Sequence, residues 1–358
     1  MTPEDLRAAV QAGIVTEAQA ASLKTLAEAR AGQRAAMPAE DEPFEFFRGF
    51  SEIFVSLGLV ILLSGVAALL ALIGGLTILT VVPLGVAAVA WWWAGYFTLK
   101  RRMNLPSMVL AVAFGGGIWL AVFSTLALSG GGVRGIAVLP FVVAAGAMAL
   151  WYRRFRLPFS MFVLGSFALG ALYAATASVD AVSGFVDGAY AGRGFMGGFF
   201  DLRESPAFAT ATLIFGIACF TAGMWFDTRD RYRLGRHAAT AFWLHLMAAP
   251  ALVNTVALTL YNTGGGAGIG LLTVALLVIA LLALVIDRRS FLSAAIAYIA
   301  IVIGWIVGEA GNLGSWTVIL LALGALITAV GTWWVPLRRA VMRALPDFPG
   351  KDRLPPWA

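Results

Sequence analysis

Ten apolar runs, each of about 20 residues, occupy most of this chain, and the short connections between them alternate in charge, a pattern that commits it to crossing a bilayer repeatedly. The runs are Ser51 to Ile73, Leu76 to Thr98, Pro106 to Leu128, Gly135 to Tyr152, Pro158 to Ser178, Ala207 to Phe226, Ala238 to Tyr261, Ala267 to Ile286, Phe291 to Gly308 and Trp316 to Val335. Of the 25 Lys and Arg residues, only Arg134, Arg193 and Arg203 fall on connections that follow odd-numbered runs. The rest precede the first run, follow the last, or crowd the remaining turns, as in Lys100-Arg101-Arg102, Arg153-Arg154, Arg229 to Arg236 and Arg288-Arg289. Cations near span ends stay on the cytoplasmic side, so both termini are expected there. Trp91 to Trp93, Trp151, Trp225, Trp333 and Trp334 fall near the same ends of their runs, where an interfacial aromatic belt is expected.

Composition agrees, because 60% of the residues are hydrophobic and only 12% charged, about half the charged share of a soluble domain. The net charge of +6 is spread over short turns beside spans, which is not the clustering of a nucleic-acid groove binder, and no nucleic-acid partner is expected. A single cysteine, Cys219, excludes a disulfide framework and a cysteine-based metal site within one chain. The first apolar run follows fifty largely polar residues and is too long for a cleavable signal, so it reads as an uncleaved signal anchor.

Residues 1–32 read as a small cytoplasmic helical hairpin. Thr2-Pro3-Glu4-Asp5 combines a capping residue, a proline at the first helical position and acids in the first turn, and Gly13 ends that helix. Thr16-Glu17-Ala18-Gln19 is a second capping box, opening a helix to about Arg30, and Leu6, Val10, Ile14, Leu23 and Leu26 form a narrow apolar seam. Such a seam needs burial against itself, a second copy, a partner or the membrane face. Residues 33–50 are a linker and pre-membrane segment, 51–335 the ten-span domain, and 336–358 a cytoplasmic tail. The fold class is thus all-α, a polytopic transmembrane helical bundle with a small N-terminal helical hairpin.

The basic turns repeat. Trp93-Ala94-Gly95-Tyr96 leads to Lys100-Arg101-Arg102 and then Leu105-Pro106-Ser107; Leu150-Trp151-Tyr152 leads to Arg153-Arg154-Phe155-Arg156 and then Leu157-Pro158-Phe159-Ser160. Looser versions are Met224-Trp225-Phe226 before Arg229 and Arg231, and Ile286-Asp287-Arg288-Arg289. Two-helix hairpins closed at these turns share one orientation and predict parallel repeats; a division after run 5 instead predicts two inverted halves of five spans. With the Leu6, Ala9, Gly13, Ile14, Thr16, Ala18 and Gln19 pattern and Gly58 to Leu72 of the first run, the order of elements resembles a family of bacterial multi-span membrane proteins of unknown function with a short N-terminal cytoplasmic helical hairpin. The resemblance spans most of the chain and implies this architecture and a bacterial cytoplasmic (inner) membrane; it supplies no activity and no catalytic residues.

Ionisable and helix-breaking residues inside the runs are the candidates for function, because a charge at mid-bilayer costs about 2.5 to 3.5 kcal/mol on insertion scales. His245 lies a third of the way into run 7, followed by Pro250 and Asn254. Nine residues separate the two polar groups, about 180° around a helix, so they share a cavity only if the proline reorients the chain. His245 reads either as an interhelical hydrogen-bond partner or as a proton-handling group. Glu52 and Glu309 stand at opposite ends of runs 1 and 9, and Gly115-Gly116-Gly117 sits in the middle of run 3, serving either close helix packing or a broken, site-lining helix. The segment Val179 to Pro206 is too polar to span and too aromatic for a plain linker; it is expected to lie on the outer leaflet or to cover a cavity.

No metalloprotease, nucleophile-elbow, Walker or dinucleotide signature is present, and no cofactor, metal or enzymatic activity is expected. Two functions remain. One is permease- or flippase-like handling of a small or amphipathic substrate; the other is a membrane scaffold or assembly factor whose hairpin binds a partner or a second copy.

Overall fold

A computed structural model describes residues 9–16, 19–20, 23, 26, 49–73, 78–176, 200–230, 236–307, 313–355 and 357, and every regular element among them is helical. The chain divides into two compact units, Met1–Glu42 and Pro43–Ala358. In the first, Gly13 adopts the left-handed backbone that ends a helix, at φ +68°. Thr16 and Gln19 form the reciprocal capping box: the Thr16 amide donates to Gln19 Oε1 at 2.9 Å and the Gln19 amide to Thr16 Oγ1 at 3.3 Å. The earlier box at Thr2 lies outside the described residues.

In the second unit the helices are α1 (Phe50–Ile73), α2 (Ile78–Ala94, continued by a π-helical turn Gly95–Lys100), α3 (Asn104–Leu128), α4 (Val133–Phe155) and α5 (Phe159–Thr176). They are followed by α6 (Pro206–Asp227), α7 (Arg236–Tyr261), α8 (Gly265–Ile286), α9 (Arg289–Val307), α10 (Leu313–Thr332) and α11 (Trp334–Ala344). Helices α1 to α8 are each long and apolar enough to cross a membrane, and α10 with α11 makes a ninth such element, bent by 72°. Long helices are the physical outcome for apolar runs in a solvent that cannot bond the backbone, since each amide must then find its partner within the segment.

Proline and polar residues set the boundaries. Pro206 opens α6 at a position where a missing amide costs nothing. Three turns at the arginine-rich end close on left-handed residues that are not glycine: Arg102 (φ 53°) after α2, Arg156 (φ 49°) after α4 and Asp287 (φ 58°) after α8. Such residues are uncommon, and their recurrence at three equivalent basic turns gives the sequence repeat a backbone counterpart. Fully buried serines, Ser107 and Ser160, follow the two Leu-Pro turns and bond back to the carbonyls of Met103 and Leu157.

The most extensive packings are within hairpins closed at that basic end, α2 with α3, α4 with α5 and α6 with α7. Odd-numbered helices also touch in succession, α1 to α3 to α5 to α7 to α9, while each even-numbered helix rests against its two chain neighbours. Inverted halves would require α6 beside α8 and α8 beside α10, as counterparts of α1 beside α3 and α3 beside α5; neither pair is in substantial contact. The packings follow the order of parallel hairpins instead.

Two apolar cores result. One, among α1 to α5, centres on Trp91, Phe114, Trp151 and Phe155, whose ring centroids lie 4.5 to 5.6 Å apart. The other runs through α6 to α9 and reaches Trp334 of α11. The expected tryptophan belt is thereby corrected in part: Trp92, Trp225 and Trp333 are exposed, but Trp151 and Trp334 are fully buried, Trp151 among aromatic neighbours and Trp334 with Asp287 as the acceptor for its indole nitrogen. The segment read as a tail begins inside a helix, α11 (Trp334–Ala344). Trp334, Arg338 and Met342, one helical turn apart, form the buried face of α11, which packs on α8.

Candidate functional site

The most buried spanning helix is α7, and its tenth residue, His245, faces two charged groups supplied by other elements. Asp227 is the last residue of α6 and Arg288 lies in the turn between α8 and α9. Asp227 Oδ2 accepts hydrogen bonds from His245 Nε2 at 3.0 Å and from Arg288 Nε at 3.1 Å. Its Oδ1 accepts from Arg288 Nη2, which also donates to the Ala238 carbonyl at 3.2 Å. An ionised carboxylate only accepts, so Nε2 of His245 carries the hydrogen in this arrangement. Both His245 and Arg288 are fully buried, and Asp227 is 4% exposed.

Local sequence explains the fit. Gly223 stands one turn before Asp227 on the same face of α6, and a Cβ there would lie 2.9 Å from the imidazole Cε1 and Nε2. The ring occupies the space a side chain would take. Phe220 and Phe291 flank the imidazole edge-to-face, with centroids at 5.6 and 5.9 Å, so the bonds operate among apolar walls where they are stronger than in water. Asp230, just beyond, accepts from the Ala238 amide at 3.3 Å in the first turn of α7.

The neighbouring residue extends the arrangement in the other direction. Asp287 accepts from Trp334 Nε1 of α11 at 2.7 Å and stands 3.7 Å from Arg338 Nε. Arg338 donates in addition to the carbonyls of Leu284 at 3.1 Å and Pro355 at 2.8 Å. Consecutive residues of one turn thus anchor two ion pairs, Arg288 into the bundle and Asp287 onto α11 and the chain after it.

Chemically, the cluster brings together an imidazole, a carboxylate that accepts three hydrogen bonds and a guanidinium. Its three members carry no hydroxyl or thiol. Among the described residues no group of three or more His, Cys, Asp or Glu is placed to hold a metal. Set against protein-family models, curated proteins and solved structures, the chain matches none.

Of the residues singled out from the sequence, only His245 joins this cluster. Asn254 is half-buried and Pro250 is exposed on a helix that runs unbroken through both. Asn254 stands about 13 Å farther along the axis than His245 and on the other face, so the proline does not unite them. Helix α3 is likewise continuous through Gly115, Gly116 and Gly117. A Cβ at Gly115 would lie 2.7 Å from the Phe167 ring and one at Gly117 2.6 Å from the Pro83 carbonyl, whereas Gly116 has open space. The first and third glycines therefore admit close neighbours rather than a break. Glu52 is buried, and its Oε2 accepts from the amides of Asn104 and Leu105, both at 3.1 Å. It caps α3, whose own cap residue, Met103, makes no side-chain bond. Glu309 lies outside the described residues.

Asp227 and Arg288 were missed in the sequence. Arg288 counts there as one more topology cation, and Asp227 falls just beyond the sixth run, which ends at Phe226. The available signal was an aspartate between an apolar run and a basic turn, twice, in Phe226-Asp227 and Ile286-Asp287, within a chain poor in charge.

Proposed function

We propose that this is a ten-span bacterial inner-membrane protein of permease or flippase type, with α1 to α10 as its spans, cytoplasmic termini and a small or amphipathic substrate handled between parallel hairpins. In this reading the Asp227–His245–Arg288 cluster is a latch at the cytoplasmic end that holds hairpin α6/α7 to hairpin α8/α9. The observation that carries it is the complete burial of a charged pair and a histidine across two hairpins. Desolvation costs on the order of several kcal/mol per ion, and apolar residues of like volume would join the same helices at no loss of stability. A polar joint that can open on protonation or on contact with a charged group is what such a protein gains.

The test is flux. Purified protein in proteoliposomes is screened with labelled phospholipids and small solutes, and Asp227→Asn and His245→Gln are compared with the parent chain. Protein-dependent flux altered at least several-fold per folded molecule by either change supports the latch. Absence of flux for every class tested, with the protein folded, removes the transport reading. Orientation is checked separately: a reporter active only in the periplasm should work near Gly265 and be silent at the C-terminus.

The scaffold reading has one observation in its favour, the separation of Met1–Glu42 as a compact unit of its own. Deleting residues 1–42 would then change oligomeric size or copurifying partners while leaving the spans inserted. Unchanged size and partners would remove it.

A further inference from the structure

Helix α11 carries a second face that no described residue covers. Its Trp334, Arg338 and Met342 are buried toward the bundle, while Pro336, Leu337, Ala340 and Ala344 on the opposite side are exposed, with Trp333 immediately before the helix exposed as well. At 100° per residue these exposed positions make one apolar strip, and Arg339 and Arg343, one turn apart, border it on one side. Arg338 is taken up by Asp287 and two carbonyls, and Lys351 by Asp347. Arg343 has no ion-pair partner among the described residues, and Arg339 meets only the carbonyl of Trp357, at 3.4 Å.

Two observations name the occupant. First, α11 departs from α10 by 72°, so a helix that follows a spanning one lies across its direction, as an interfacial helix does. Leu320, Leu321, Leu326 and Ile327 of α10, Trp333 between the helices and Leu337 of α11 are all exposed, so large exposed apolar side chains recur along the chain from the apolar helix to the strip. Second, the border is cationic. Tryptophan and leucine at the depth of the headgroups, flanked by arginines, match an anionic leaflet in both polarity and charge.

We propose that α11 is a binding site for anionic phospholipid, with Trp333 and Leu337 seated among the upper acyl carbons and Arg339 and Arg343 on the headgroup phosphates. The proposal rests on the membrane reading of α1 to α10 but not on transport, on the span count or on which side is cytoplasmic. Asp287 bonds Trp334 on the buried face of α11, so α11 stands between the proposed lipid and the turn that carries Arg288.

The full chain with Cys219→Ala and Leu337→Cys is labelled with an environment-sensitive fluorophore and placed in nanodiscs, whose two leaflets have one composition. Cys219 is the sole native cysteine. Asp352→Cys in the same background serves as the exposed control. In nanodiscs containing phosphatidylglycerol the Leu337→Cys label should emit to the blue of the control and be quenched by lipids brominated near the headgroup. Replacing phosphatidylglycerol with phosphatidylcholine should weaken this docking, and Arg339→Gln or Arg343→Gln should each lower it by about fivefold in phosphatidylglycerol, with little effect in phosphatidylcholine. A label at 337 that reports water in both compositions overturns the proposal and leaves the strip to a protein partner. Equal docking in both compositions overturns the headgroup recognition. Failure of the chain to enter nanodiscs at all would overturn the membrane reading, and this one with it, whereas absent flux leaves it standing.

Discussion

The two halves of the bundle solve one packing problem with different materials. Near the basic end of α2 and α4, the first half fills its core with Trp91, Phe114, Trp151 and Phe155. At the same end of α6 and α8, the second half places Asp227, His245 and Arg288, with Phe220 and Phe291 as walls. Aromatic packing is additive and tolerant, each ring pair contributing about 0.5 to 1.5 kcal/mol beyond its burial. An ion cluster is all-or-none: it holds while every member is present and becomes a liability when one is removed. In the reading proposed above, the first half serves as a static wall and the second as a joint.

The sharpest way to break this contrast is Asp227→Ala, which leaves Arg288 and His245 buried without their acceptor. A loss of about 3 to 5 kcal/mol is expected in detergent unfolding, with the double change Asp227→Leu and Arg288→Leu recovering most of it. A loss below about 1 kcal/mol would mean that water reaches the cluster and that it is no joint.

The first half is probed by Gly117→Val, which drives a side chain against the Pro83 carbonyl and should cost about 1 to 3 kcal/mol through overpacking. Thermal unfolding of the variant checks it; an unchanged melting temperature would show that α2 and α3 are not so closely apposed.

His245→Leu should cost less, about 0.6 to 2 kcal/mol, the range of interhelical hydrogen bonds in membranes. Measured beside flux in the same preparation, it separates the two roles of the imidazole. Preserved flux per folded molecule would make His245 structural, and abolished pH dependence with little loss of stability would make it the proton-handling member.

Glu52→Ala removes the carboxylate that caps α3 and should cost about 1 kcal/mol, while Glu52→Gln, which keeps an acceptor oxygen, should cost less. Equal losses would mean that charge rather than the hydrogen bonds holds α1 to α3. The smallest effect is expected at Gly116→Ala, within about 0.5 kcal/mol of neutral, because no atom lies within 4 Å of the added carbon; a large loss there would revive a functional break in α3.

Much of the fold was legible before any coordinates. Run ends foresaw α1 to α9 to within a few residues, because the 20-residue apolar run and the turn chemistry are local properties. Gly13 and the Thr16 to Gln19 box appear where the chain dictates them. The hairpin repeat was legible in the Leu-Pro and arginine turns, and its left-handed closures at Arg102, Arg156 and Asp287 follow it. The tail was placed without a reading of its local structure; its eleven-residue amphipathic helix at 334–344 is short and rich in arginine and does not stand out beside the apolar runs. The site was legible only at His245, a rare ionisable group within a run. Its partners sit at the ends of spans, where charge is ordinary and carries no signal by itself.

By itself the sequence determined that the chain forms a series of helices long and apolar enough to cross a membrane, where α1 to α10 begin and that basic turns follow alternate helices, since solvation of backbone and cations depends on neighbours a few residues away. It did not determine which basic turn residues stay in water. Arg102 and Arg288 both follow an apolar run at a hairpin turn, yet Arg102 is exposed and Arg288 fully buried. Only the tertiary structure decided that, by carrying Asp227 from a helix sixty-one residues away to within hydrogen-bonding distance, for a buried charge persists only where another helix supplies its counterpart.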